Sequence, residues 1–513
     1  MRDAVFLKYS KVNTYQTIEE SELTQRKTEQ KWFLITFAVI LINMIGIKYT
    51  SIIIVSATIE YIICFVFLSI GAVQKAFLCY IVFLSNSLEV QYFVTGKQTI
   101  SDAFYSFPYM PIVGVSLLLL LNIFMFFSIY SKSGYKLIKN SGNKAIIFMH
   151  KSLLYMLLFG VLWNILLYLL NDNNVFGQAW YLILAMKKIV RFIIIFLTAE
   201  SSIMLLLQNS CFYNVLNSVM KSSLFALPIA GFCGAIFGFT GHRGVLKGLS
   251  LLPIYSSMGI YLMLFYMYEN RISKIIESFI FAILLTAYLL IFPTQLGGKF
   301  FLSLFITFFM MFYGRANKHK FVIVLLFVLI CILLWNFDII TSILKNSYYL
   351  SSKLDQAIGM FSIIENKNTA IEIEQNSNVL FRLDEFVNVI VEYSKKPYLF
   401  LFGKGIAGTT LHHTSTFSWS ASTSFTSNQI AAGIYVELHE SINAIFLKYG
   451  AIGMFGLGYL ILLLLRKIKT SPWAIFGLTW LIFYFEIYYS MLFGLIAMTV
   501  ALYQSNSRQA MCI

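Results

Sequence analysis

Three clusters in this 513-residue sequence hold side chains able to do chemistry. Lys187, Lys188 and Arg191 fall inside one apolar run, 181–207. A Lys or Arg at the centre of a bilayer costs roughly 2.5–3.5 kcal/mol on insertion scales, so three together ask for a reason. Lys187 and Arg191 are four apart and share a helix face. One reading is a cationic pocket for a phosphate or pyrophosphate group, Lys giving point charge and Arg bidentate contacts. The other is snorkelling to headgroups, with an ion pair to Glu200, Glu60 or Glu89.

The second cluster is Thr240-Gly241-His242-Arg243-Gly244. Glycines around Arg243 let a guanidinium and backbone amides approach one anion closely, although an ordinary short turn has the same spacing. The third runs from Val436 to Gly453. On a helix His439, Asn443, Phe446, Gly450 and Gly453 share a face, with Glu437 and Glu440 beside the histidine. A histidine next to carboxylates can do general acid–base work. It is equally what a capped helix start facing water looks like. His412 and His413 read as loop histidines, because no third and fourth ligands stand at zinc spacing. No metal site and no cofactor is expected.

The elements that must position these groups are membrane spans. Charged residues make up 12% of the chain and hydrophobic ones 59%, with a mean hydropathy of +0.77. Soluble domains carry about twice that charge. Apolar runs of bilayer-spanning length recur from end to end. The expected fold class is therefore an all-α polytopic membrane protein of 12 to 14 transmembrane helices, which excludes a soluble enzyme, a disulfide scaffold and an outer-membrane barrel. The spans are expected at 32–47, 52–71, 76–94, 111–130, 152–170, 181–207, 223–240, 249–268, 275–293, 299–314, 321–343, 441–465, 473–486 and 489–503. The final two are open to being one long tilted helix.

The net charge of +15 is explained by topology, and no nucleic-acid partner is expected. With the N-terminus inside, 22 of the 38 Lys and Arg fall on the cytoplasmic side and five in short outside loops, as the positive-inside rule requires. Four are inside spans: Lys187, Lys188, Arg191 and Lys448. The other seven lie in 344–438, which also holds eight acids and is near neutral. The organisation expected is a cytoplasmic segment 1–31, transmembrane helices over 32–343, a large periplasmic loop 344–440, C-terminal helices over 441–503 and a cytoplasmic tail 504–513. Within the loop, 380–394 places Leu380, Phe386, Ile390 and Val391 at helical spacing, and 409–430 is rich in Ser and Thr. Cys64, Cys79, Cys211, Cys233, Cys331 and Cys512 show no CxxC or ligand spacing, so no disulfide frame is expected. No cleaved signal peptide is read in the first 31 residues.

Together these residues resemble the O-antigen polymerase and O-antigen ligase superfamily of bacterial inner-membrane glycan enzymes. Thr240 to Gly244 is similar to the family's Ser-Arg-Gly turn. Pro397-Tyr398-Leu399-Phe400-Leu401-Phe402-Gly403-Lys404-Gly405 resembles its Pro…Phe-Gly-x-Gly stretch, with Arg382 upstream where members often have Arg. His439 to Gly453 resembles its His…Gly-x-x-Gly segment. Ligase-like members place Asn directly after the histidine. Here that residue is Glu440, which leans toward a polymerase.

The resemblance implies a fold similar to the type C glycosyltransferases, with an active site facing the periplasm. It implies undecaprenyl-diphosphate-linked repeat units as substrates, and a chain-length regulator and flippase in the same membrane. His439 or Glu440 would act on the acceptor hydroxyl. Arg243, Lys187, Lys188 and Arg191 would hold the leaving diphosphate, and Arg382 the second one. The alternatives are an O-antigen ligase and a lipid-linked oligosaccharide flippase.

Overall fold

A computed structural model describes residues 27–42, 45, 50–85, 89–94, 97–102, 117–133, 136–171, 175–236, 377–413, 427–436, 438, 441–468, 470–485 and 492–503. The four expected spans between 249 and 343 lie outside the described residues, as do Arg243, His439 and Glu440.

The described structure is 86% helical. In chain order the helices are α1 (27–42), α2 (Thr50–Ser69), α3 (Val73–Ser85), α4 (Leu117–Ser133), α5 (Lys136–Asn140), α6 (Lys144–Leu169), α7 (Ala179–Gln208) and α8 (Ser210–Ile236). They continue with α9 (Ser377–Lys395), α10 (Pro397–Phe402), α11 (Ser427–Ala432), α12 (Ser441–Lys467), α13 (Trp473–Thr479) and α14 (Leu492–Tyr503). Two antiparallel pairs complete them: β1 (Glu89–Val94) with β2 (Lys97–Asp102), and β3 (Thr410–Leu411) with β4 (Ile434–Tyr435). Among the described residues α6, α7 and α12 are long and apolar enough to cross a membrane.

α6 starts where Asn143 caps it, its side-chain oxygen accepting from the amides of Ala145 (3.1 Å) and Ile146 (3.3 Å). Asn143 also donates to Leu502 O at 2.9 Å, so the cap fixes α14 beside it. α7 runs through the middle of the bundle, buried along most of its second half. Its polar positions tie it to its neighbours. Thr198 donates to Asn122 of α4 at 3.0 Å and shares a hydrogen bond with Tyr80 of α3 at 3.0 Å. Ser202 pairs with Thr499 of α14 at 2.6 Å. Helices in lipid lack a hydrophobic drive toward one another, so close packing and such bonds hold them.

Several spans differ from expectation. The third stops at Ser85, and 89–94, expected as its last turns, is a strand paired with 97–102. The β-formers Val90, Tyr92 and Phe93 precede Thr95-Gly96, a hairpin signal inside an apolar run. Lys221, expected in the connection between the spans at 181–207 and 223–240, is mid-helix in α8, buried and paired with Glu29 of α1 at 2.9 Å. An acid in reach makes a buried lysine tolerable. The final pair is two helices: α13 runs on through one π turn, Trp480–Tyr484, breaks at Phe485 (ψ 121°), and packs on α14 where Gly477 meets Met498.

Candidate functional site

The centre of the site is a break in α12. Gly450 has φ 57° and ψ −150°, a conformation open to glycine, so 441–449 and 451–467 are separate helical pieces. Breaking a helix frees carbonyls that need new donors. The turn after α10 supplies them: Lys404 N donates to Leu447 O and Gly405 N to Lys448 O, both at 2.8 Å. Tyr393 of α9 adds its hydroxyl to Leu447 O at 2.5 Å.

The fit requires glycine on both sides. A Cβ at Gly450 would stand 2.6 Å from Phe400 O, and one at Gly403 (φ 68°) 2.4 Å from the backbone of Lys448. A Cβ at Gly405 (φ 79°) would lie 2.6 Å from Gly160 O and from Asn164. α6 and α7 hold the turn from the other side. Trp163 Nε1 donates to Gly403 O (2.9 Å), Asn164 Nδ2 to Lys404 O (3.3 Å) and Tyr181 OH to Ala407 O (3.0 Å). Ile406 N donates to Gly160 O at 3.0 Å.

The Lys404 ammonium is buried and donates to Glu392 Oε1 of α9. Glu392 belongs to a buried polar row, Asp384, Asn388 and Glu392, spaced four apart on one face of α9. The row acts as a partner for extended chain. Glu392 Oε2 accepts from Leu411 N (3.3 Å) and Asn388 Oδ1 from His413 N (2.5 Å). Two extended residues advance about 6.7 Å and four helical residues about 6 Å, so the two periods nearly match. Asp384 Oδ2 stands 3.8 Å from His412 Nε2. Burial, with help from the Lys395 charge, holds His413 below the usual imidazole range. The Ser/Thr-rich stretch thus begins from a fixed edge carrying a half-buried imidazole beside a carboxylate.

This row was not read from the sequence. The expected apolar face of 380–394 included Ile390, which is 40% exposed; Phe386 and Val391 are only partly buried. The helix turns its acids inward because Lys404, Asn443 and the 411–413 backbone bond to them. The available signal was the spacing of Asp384, Asn388 and Glu392. The two histidines read as loop residues are anchored by the same row.

Of the sequence-expected site residues, Arg382 is partly buried on α9, and its carbonyl accepts from Asn443 Nδ2 at 2.9 Å. Asn443 also donates to Glu385 Oε2 at 3.3 Å. Asn443 lies three residues after Glu440, so Arg382 is tied to the helix that His439 and Glu440 lead into. Ser441 Oγ accepts from Phe485 N at 2.9 Å, and the Phe485 ring meets Phe192 edge-on at 6.1 Å. Phe192 follows Arg191 in α7. Lys188, one turn back, is buried; Arg191 is partly buried; Lys187, on the same helix face as Arg191, is exposed. Lys188 is thus nearest to the side of α7 that Phe192 turns toward the start of α12, with Arg191 between it and the exposed Lys187. Glu200, weighed as one ion-pair partner, instead meets His150 Nδ1 of α6 at 2.8 Å.

No family model matches the chain, and no curated protein or solved structure matches it either.

Proposed function

We propose that this chain is a membrane glycosyltransferase, an O-antigen or surface-polysaccharide polymerase of the bacterial inner membrane that joins undecaprenyl-diphosphate-linked repeat units at its periplasmic face. One observation carries the reading. The two sequence segments that resemble the superfamily, 397–405 and 439–453, interlock at Gly403, Gly405 and Gly450, and the same junction ties Arg382 to Asn443. Two separate resemblances that meet in space support a shared site better than either does alone.

The reaction breaks the bond from the donor sugar's anomeric carbon to its diphosphate and forms one to a hydroxyl oxygen of the acceptor sugar. The electron pair leaves with the diphosphate, and the hydroxyl proton passes to His439 or Glu440. Arg243, Arg191 and Lys188 meet the charge that develops on the leaving group, where a preorganised cation acts most strongly. Lys187 offers charge from the exposed edge of the same face, and Arg382 holds the diphosphate of the incoming unit. The role needs no metal, since lysine and arginine supply the counter-charge.

The test is the lipopolysaccharide ladder of a strain lacking the chain. Core bearing one repeat unit is the expected result. A full ladder overturns the proposal. Core bare of O-antigen, with polymer stranded on the lipid carrier, would assign a ligase instead.

A further inference from the structure

We infer that the outward apolar side of α9 and α10, formed by Leu383, Val387, Ile390, Phe400 and Leu401, is seated in the lipid of the surrounding bilayer, making 377–402 a membrane-embedded element of the long loop. α9 is inside-out by the standard of a water-facing helix. Asp384, Glu385, Asn388 and Glu392 are at most 8% exposed, whereas Leu383 is 57%, Val387 45% and Ile390 40% exposed. On α10, Phe400 and Leu401 are 50% and 45% exposed. Apolar exposure of this kind is unfavourable in water and favourable against acyl chains.

The level at which the element sits agrees with its polarity. α6 is the ruler. Its residues 152–169 carry no charge and, at 1.5 Å per residue, span about 27 Å, close to the hydrocarbon thickness. α10 and its turn meet α6 along this band, Phe402 against Phe159 and Trp163, and Tyr398 against Trp163. Val389 and Tyr393 of α9 join one buried cluster with Leu167. At these same levels Leu162 and Leu166 of α6 are exposed. Lipid that covers those leucines reaches the level of α10. The irregular turn 403–409 is buried; the amides of Gly403 to Ile406 and of Gly408 donate, and the carbonyls of Gly403, Lys404, Gly405 and Ala407 accept, as non-helical backbone at membrane depth requires. Lys395 and Lys396, at the junction of the two helices, have the reach to place their ammonium groups among headgroup phosphates.

The inference needs a bilayer and not the glycan chemistry, so it survives if the polymerase proposal fails. Single cysteines are placed at Val387 and Leu401 in the full chain with its native cysteines replaced. Leu162, exposed on α6, serves as the lipid control and Asn171, beyond the end of α6, as the aqueous one. A bimane label is read in vesicles of phosphatidylcholine carrying brominated acyl chains. Quenching at 387 and 401 within about twofold of that at 162, and reaction with a membrane-impermeant maleimide at least about tenfold slower than at 171, is the expected result. Reaction as fast as at 171 overturns it. So does protection from both reagents, which would mean that another part of the chain or a second copy covers the face. Ile390→Cys and Phe400→Cys repeat the measurement if either first variant fails to fold.

Discussion

The amide of Gly405 donates to the carbonyl of Lys448 at 2.8 Å, joining the turn after α10 to the last carbonyl-bearing positions before the break in α12. One hydrogen bond thereby links two stretches of sequence more than forty residues apart. Each explains the other's glycines. Without the turn, the broken helix would bury unbonded carbonyls. Without the break, the turn would have no acceptors.

Alanine at Gly403 or Gly450 should therefore be severe. Each forces a side chain into positive φ, which costs roughly 1–2 kcal/mol, and drives a Cβ onto backbone at 2.4–2.6 Å. Gly456 and Gly458, in the same helix, have open space around them. Alanine there should be neutral or raise stability by up to about 1 kcal/mol. Thermal melts of the four variants in detergent decide it: equal melting temperatures would remove the interlock as a stabilising feature.

The Glu392–Lys404 pair should show the asymmetry of buried charges. Glu392→Gln or Lys404→Met alone leaves an uncompensated ion and should cost about 3–5 kcal/mol. Glu392→Met together with Lys404→Met should recover a large part of that loss, apart from the hydrogen bond Glu392 gives up to Leu411. A double-mutant cycle that comes out additive would show the two charges to be independent.

Legibility in the sequence followed the strength of the physical signal. α6, α7 and α12 were placed within a few residues at most ends, because 18 or more apolar residues have few other uses. The exception was the start of α6 at Lys144, where the helix continues through charged residues past its apolar run. The hairpin at 89–102 was hidden because β-formers are also apolar, and hydropathy cannot distinguish a strand from the end of a span. The break at Gly450 was hidden for another reason. Gly450 reads in the sequence as one position on a continuous helix face, and only the arrival of α10, distant in sequence, requires it to leave the helix. The apolar spacing of 380–394 marked the helix that forms but not which face it buries, because the rule that apolar faces turn inward holds against water and fails against lipid.

His413 gives the pH dependence its sign. Its pKa is lowered in the folded chain, mainly by burial and then by the Lys395 charge, from an ordinary 6.5. The folded state therefore binds fewer protons than the unfolded state just below pH 6.5, and stability rises with pH across that window. The contribution is complete above the unfolded value and is lost as the pH falls through it toward the folded one. His413→Gln keeps the backbone amide that Asn388 accepts and removes the titration. Melting temperatures should rise less steeply from pH 5 to 7.5 in the variant than in the parent. Parallel curves would show that His413 does not titrate differently on folding.

The last prediction concerns which cations act on substrate. Arg382 and Arg191 are linked to opposite sides of the first turn of α12, through Asn443 and through Phe192 and Phe485. Lys187 is exposed and stands further round the helix from Phe192 than Lys188 or Arg191 does. If a diphosphate is held there, Arg382→Ala and Arg191→Ala should each lower polymer formation by about 10²–10³-fold at unchanged protein level, the usual effect of removing one preorganised donor. Lysine at Arg382 should restore little, since a point charge cannot replace a bidentate fork. Lys187→Ala should change activity far less than Lys188→Ala. In a reconstituted assay with lipid-linked repeats, equal losses at 187 and 188 would mean that the charge acts through the field of the whole helix. Loss confined to 188 and 191 would locate the diphosphate on the buried side of α7, where Phe192 turns toward the start of α12.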